Sequence, residues 1–198
     1  MTVRTARVER DTKETRIRAE LTVDGAGRAD VTLPQLPFLE HMLTAMTKYS
    51  GMDLSLHGEG DVEVDAHHLV EDCGLVVGTA LSRALGDRAG IRRFGEAHAP
   101  LDESLVRCVL DLSNRPFCVY EMGPLHDQGR RINDFDVSLL GEWVRAFTQT
   151  GGISLHLDML RGENLHHIAE AGFKSLGLAL RSAVTVIGVG VPSTKGVL

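Results

Sequence analysis

One group of residues occurs twice. "DAHHLVED" at residues 65–72 and "NLHHIAEA" at 164–171 each place two histidines ahead of a glutamate, and the two copies are 99 residues apart. Such self-similarity restricts the chain to two like units that share a core. The likeness extends beyond the motif. "EHMLTAMTKYSGMDLSL" (40–56) followed by "HHLVEDCGLVVGTALSRAL" (67–85) matches "GEWVRAFTQTGGISLHL" (141–157) followed by "HHIAEAGFKSLGLALRSAV" (166–184). Gly51 meets Gly152 and Leu54 meets Leu155. After a two-residue difference in loop length, Gly78 meets Gly177 and Ala80-Leu81 meets Ala179-Leu180.

A period-two stretch precedes each copy. Ile17, Ala19, Leu21 and Val23 alternate with polar residues, as do Val106, Cys108, Leu110 and Leu112, which predicts half-buried strands. "DGAG" and "SNRP" close them as turns. Glu14 and Glu103 stand at equal distances ahead of Leu21 and Leu110. Each half therefore reads strand, strand, helix, strand, helix, with helices starting near residues 38, 67, 138 and 165. Helical spacing of Leu75, Val76, Ala80, Leu81 and Ala84, and of Phe173, Leu176, Leu180 and Val184, gives the later helix of each half a buried stripe. The expected class is α+β, with two βαβ-type halves, residues 1–90 and 91–187, whose two sheets cover four helices. The remainder, 188–198, holds too much Gly, Ser and Thr for a helix and reads as an exposed tail.

With 198 residues, 43% of them hydrophobic, the chain can bury a substantial core. A net charge of −6 gives no general attraction to nucleic acid or anionic membranes, so a small-molecule partner is expected. Apolar runs fall short of the roughly 20 residues of a membrane span, and the charged start "MTVRTARVERDTKETR" lacks the apolar block of a signal peptide. A cytoplasmic protein is expected. Cys73, Cys108 and Cys118 lack CxxC spacing and read as reduced thiols.

Residues four apart share a helix face, so His67 with Glu71, and His166 with Glu170, can grip one ion. Adjacent His68 and His167 are turned by about 100° and must serve something else. Each group can thus divide its ligands between two metals, each taking a His–Glu pair from one half and a lone His from the other. His41 is a further candidate ligand, and the internal alignment sets Glu142 opposite it. Imidazole with carboxylate suits manganese, iron or zinc. The HExxH protease motif has its Glu between the histidines, which does not fit. His57, His98, His126 and His156 follow no such pattern.

Cations fall at predicted loop ends or beside the second motif: Arg92-Arg93, Arg115 and Lys174. In "PSTKG", a hydroxyl, a Lys and a Gly in one loop can surround a phosphate. The leading Gly-rich turn of a nucleotide-binding P-loop is missing.

"FLEHML", "DAHHLVEDCGLVVGTAL", "GIRRFGEAHAPLDE", "DLSNRPF", "GENLHHIAEAGFKSLGLALR" and "PSTKGVL" resemble, in order and spacing, the imidazoleglycerol-phosphate dehydratases of histidine biosynthesis. The resemblance covers nearly the entire chain. It implies four helices between two four-stranded sheets, and 24 subunits built from trimers with active sites formed between subunits. It also implies two Mn2+ ions per site and dehydration of D-erythro-imidazoleglycerol phosphate to imidazole-acetol phosphate. Carried over by motif, the metal ligands are His41, His67, His68, Glu71, His166, His167 and Glu170, with Glu142 standing where many members have His. Substrate contacts, the phosphate included, are Glu14, Arg93, Arg115, Lys174, Ser193, Thr194 and Lys195, in a tail that becomes substrate-binding. The imidazole ring meets the ions at His41, His67 and His166. A metal on each ring nitrogen would stabilise an imidazolate, hydroxyl loss would give a diazafulvene, and a carboxylate (Glu14, Glu71 or Glu170) would move the proton.

Overall fold

In a computed structural model, which describes residues 3–196 and 198, the duplication is complete. The first half runs β1 (Thr5–Asp11), β2 (Thr15–Thr22), β3 (Ala29–Thr32), α1 (Pro37–Ser50), β4 (Asp53–Gly60) and α2 (Ala66–Leu85). The second runs β5 (Phe94–Leu101), β6 (Ser104–Asp111), β7 (Phe117–Glu121), a short hairpin of β8 (Arg131–Ile132) and β9 (Phe135–Asp136), α3 (Leu139–Gly151), β10 (Ser154–Arg161) and α4 (Leu165–Ala183). The two large sheets have the same topology, β1-β2-β4-β3 and β5-β6-β10-β7. In each, an edge strand ahead of the first helix, β3 or β7, lies parallel to the strand after that helix, β4 or β10, which is a βαβ crossover.

Two features depart from the expected element order. Each half carries a third strand, β3 or β7, ahead of its first helix. These are short edge strands with mostly exposed or half-exposed residues, so they carry no clean two-residue alternation. The second half also holds residues 122–138, a 3-10 turn and the β8–β9 hairpin, where the first half needs only residues 33–36.

Helix starts follow local chemistry. Pro37 opens α1, where a missing N–H costs nothing. Asp65 caps α2 by accepting from His67 N at 2.9 Å, and Asn164 caps α4 by accepting from His166 N and His167 N. Both His-His pairs therefore occupy the first turn of their helices. α1 and α3 end on Gly51 and Gly152, which take the left-handed conformation.

The helices exchange partners between halves: α1 packs on α4 and α2 on α3, while α2 lies on β1 and β2 and α4 on β5 and β6. Close approach depends on glycine. A Cβ on Gly177 would stand 2.5 Å from the carbonyl of Met46 in α1, and one on Gly78 would strike Phe147 and Thr150 in α3. A single apolar core fills the layers, from Ile17 and Leu56 under the first sheet to Leu110 and Leu155 under the second. Its centre includes Trp143, stacked on Phe147 with ring centroids 5.0 Å apart. Each such buried side chain contributes about 1.5–3 kcal/mol. Arg88, 2% exposed, closes the end of α3 by donating to the carbonyls of Gly151 and Gly152. The three cysteines are free thiols, and burial pushes those of Cys73 and Cys108 up. Among the described residues no helix is long and apolar enough to cross a membrane.

Candidate active site

Because α1 crosses α4 at Gly177, His41 reaches the second His–Glu pair. His166 Nε2 lies 3.2 Å and His41 Nε2 3.4 Å from Oε2 of Glu170, and the three residues offer donor atoms within 4.8 Å of one another. Glu170 is the least exposed of the three. Burial works against its charge, but the Lys174 ammonium, 2.8 Å from Oε1, and His41 hold its carboxyl below the ordinary value. Lys174 also stands 5.6 Å above the ring centre of Tyr49. Phe38 meets the His166 ring edge-on and packs on Phe135 of the β8–β9 hairpin. Beside His41 and His166 opens a cavity of about 540 Å³, walled by Leu36, Phe38, Val62, Ile132 and Phe135.

The symmetry-related group is looser. His67 Nε2 lies 3.6 Å from Glu71 Oε2. Glu142, the counterpart of His41, is held at 2.5 Å by Arg145 from its own helix. Arg145 first, and the nearby His67 after it, hold the Glu142 carboxyl below its ordinary value.

The outer histidines of one chain join neither group; each is gripped by a carboxylate at Nδ1. His68 Nδ1 is 3.1 Å from Asp61, and His167 Nδ1 is 2.8 Å from Glu103. These contacts raise the pKa of both imidazoles. A carboxylate at Nδ1 is the usual partner of an imidazole that ligates through Nε2. Asp61 and Glu103 were not among the expected site residues. Glu103 was visible as the counterpart of Glu14, but no spacing rule connects a hairpin residue to a helix 64 positions later.

The matched carboxylates differ in use. Glu103 accepts from His167, from the backbone N–H groups of Asn164 (2.9 Å) and Glu163 (3.2 Å), and from Ser104 Oγ (2.9 Å). His167 first, then these backbone donors, pull its carboxyl well below the usual carboxylate range. Glu14 is 56% exposed, 3.9 Å from His68 Nδ1, and among the described residues its side chain accepts no hydrogen bond.

At the far end of the second sheet Arg93 forks onto Asp111 at 2.7 and 2.9 Å, and Arg115 lies 3.8 Å from the same carboxylate. The tail is not loose there. Gly90 donates to Gly190 O, Ile187 and Gly188 donate to Gly90 O, and Arg93 Nη1 donates to Pro192 O at 2.8 Å. Residues 186–190 are exposed, but Val191, Pro192 and Ser193 of the tail expected to be exposed are half-buried, and its backbone is tied to the connector between the halves. Ser193, Thr194 and Lys195 follow immediately, with Lys195 N donating to Ser193 Oγ.

Fold and site together define a duplicated α+β enzyme with two related histidine–carboxylate groups at helix N-termini. Residues 35–180 match the family model described as imidazoleglycerol-phosphate dehydratase. The chain is 50% identical over 193 residues to the imidazoleglycerol-phosphate dehydratase of Syntrophobacter fumaroxidans, covering 96% of each. It is 47% identical to that of Acidithiobacillus ferrooxidans, covering all of this chain and 99% of the other. A crystal structure of the Pyrococcus furiosus enzyme in complex with (S)-C348 superposes with a TM-score of 0.78 at 37% identity, over 96% of this chain and all of that one. The Staphylococcus aureus enzyme gives 0.79 at 31% identity, over 92% and 99%. The chain belongs to the imidazoleglycerol-phosphate dehydratase family.

Proposed function

We propose that the chain dehydrates D-erythro-imidazoleglycerol phosphate to imidazole-acetol phosphate in histidine biosynthesis, using divalent metal at the His–Glu groups. The observation that carries this reading is the convergence of His41, His166 and Glu170 from two different halves. Two imidazoles and a carboxylate suit Mn2+, with Fe2+ or Zn2+ as alternatives. His67, Glu71 and Glu142 would hold the second ion, Glu142 sharing its charge with Arg145. A metal bound at each group supplies Lewis acidity to a ring nitrogen of the substrate.

The chain's own residues do the rest. Glu14, exposed and 3.9 Å from His68 Nδ1, acts after the hydroxyl on the carbon next to the ring has left with the ring N–H proton as water to give a diazafulvene form of the substrate. It takes the proton from the next side-chain carbon to give the enol, and returns a proton to the carbon next to the ring as the enol becomes the ketone. Glu71 and Glu170 serve the metal rather than the proton, since Glu170 is already charged and paired with Lys174. Arg93, Arg115, Ser193, Thr194 and Lys195 bind the phosphate.

His68 and His167 support sharing of sites between subunits. Each is oriented at Nδ1 by a carboxylate and stands apart from its own chain's groups, so its Nε2 can complete a neighbour's metal shell. An assembly of 24 subunits, residing in the cytoplasm, is the form we propose. Supplying the substrate with and without Mn2+ and measuring the ketone product tests the activity; no ketone with Mn2+ present overturns it. Light scattering tests the assembly, and a fully active monomer contradicts shared sites.

A further inference from the structure

Each half carries an Arg–Asp fork, and both forks end on the same segment. Arg4 and Arg93 hold equivalent places, one residue ahead of the strand ends where Thr5 pairs with Thr22 and Phe94 with Asp111. Arg4 binds both oxygens of Asp24 and donates through Nη1 to Val184 O at 2.8 Å. Arg93 binds both oxygens of Asp111 and donates through Nη1 to Pro192 O at 2.8 Å. One fork secures the root of the C-terminal segment and the other its far end. Between them the backbone is bridged to Gly90 and Ile91.

We propose that Asp111 is a positioning residue for phosphate recognition, holding Arg93 in the one orientation that fixes the tail at Pro192 and so sets Ser193, Thr194 and Lys195 beside Arg115. This rests on the reading that those residues bind the substrate phosphate. Two of the guanidinium's faces are required at once: Nε and Nη2 meet the carboxylate, which aims Nη1 at the carbonyl. A planar fork does this and a point-charge ammonium does not. Asp111 is only 18% exposed in its side chain and also neighbours Arg115, so one anion sets the spacing of two cations. Immediately after Pro192 the chain offers a hydroxyl and an ammonium, whose usefulness to a phosphate depends on where the backbone is held.

The experiment compares full-length wild type with D111N, D111E and R93K. In D111N the amides of Gly90, Ile187 and Gly188 should exchange hydrogen at least about tenfold faster. KM for the substrate and the inhibition constant of inorganic phosphate should rise together by about tenfold, with kcat within about threefold. D111E should recover most of both. K195A should cost less in a D111N background than alone, because a misplaced Lys195 has less to lose. If D111N does not accumulate folded, R93K, which keeps the charge but loses the fork, supplies the tail-exchange readout alone, since Arg93 is itself placed on the phosphate; unchanged exchange there overturns the proposal. Unchanged tail exchange, an unchanged phosphate constant, or a fall in kcat with KM intact overturns the proposal. Should wild type fail to turn over imidazoleglycerol phosphate, the proposed reaction fails, while tail exchange and phosphate binding still decide the role of Asp111.

Discussion

Glu14 and Glu103 occupy the same place in two copies of one hairpin, yet four donors surround Glu103, and among the described residues the Glu14 carboxylate has only a histidine nitrogen at 3.9 Å. The cause lies one loop away. In the first half Asp61 grips the outer histidine, a task that falls to Glu103 in the second. Relieved of that task, the first hairpin's carboxylate is left exposed, as the proposed proton transfer requires. Duplication supplies two frameworks at once, and a one-residue difference in who holds an imidazole lets one copy specialise.

Substitutions can break this contrast, and the largest effect belongs to Glu14. E14Q should lower turnover about 10²- to 10⁴-fold, with metal content and unfolding midpoint as in wild type; steady-state kinetics beside a metal titration separate the two. E103Q should show the opposite profile. Loss of the carboxylate behind His167 should weaken metal binding about 10- to 100-fold and lower the unfolding midpoint, because the amide oxygen still accepts from the N–H groups of Glu163 and Asn164 but without the charge that strengthens those bonds. Equal losses of turnover with intact metal binding in both variants would mean that the hairpins had not diverged.

Smaller effects test the helix crossings. G177A should destabilise the protein by about 1–3 kcal/mol in urea unfolding and loosen metal at His41, since a methyl meets the Met46 carbonyl. G78A should cost a similar amount but act on the group at Glu142. The smallest effect concerns the turn after β2. Asp53 accepts from Arg28 and from the backbone N–H groups of Ala26 and Arg28, which lowers its carboxyl from 3.8 to about 2. Its contribution is present above pH 4 and disappears as the pH falls towards 2. D53N should therefore be less stable than wild type at neutral pH, with the gap closing in that acid range, as thermal unfolding against pH will show. Ser154, its counterpart in the second half, carries no charge and has no such dependence.

The sequence disclosed the parts of this molecule that recur. Predicted helix starts at 38, 67, 138 and 165 compare with observed starts at Pro37, Ala66, Leu139 and Leu165, because caps, apolar stripes and the duplication itself all point to the same places. β3 and β7 escaped, being too short and too exposed for alternation to register. His41 was legible as a candidate ligand, but the pair it meets, His166 and Glu170, was not marked, because that meeting depends on α1 packing against α4. Asp61, Arg145 and Asp111 were not legible at all, since each acts by holding another side chain, and no repeat in the sequence marks such a contact. The tail illustrates the same limit: its composition forbids a helix, but the bonds that tie it down come from the backbone of Gly90 and from Arg93.

Because α1 lies against α4 and α2 against α3, each half covers one side of its helices with its own sheet and leaves the other side to the helices of the other half. A half-length chain with this pattern would have met its needs by clasping a second copy of itself, each lending a helix pair to the other. Joining the copies end to end would then have removed the requirement that both remain identical. The freedom to give Glu14 and Glu103 different employment follows from that covalent link, which lies between residues 86 and 93.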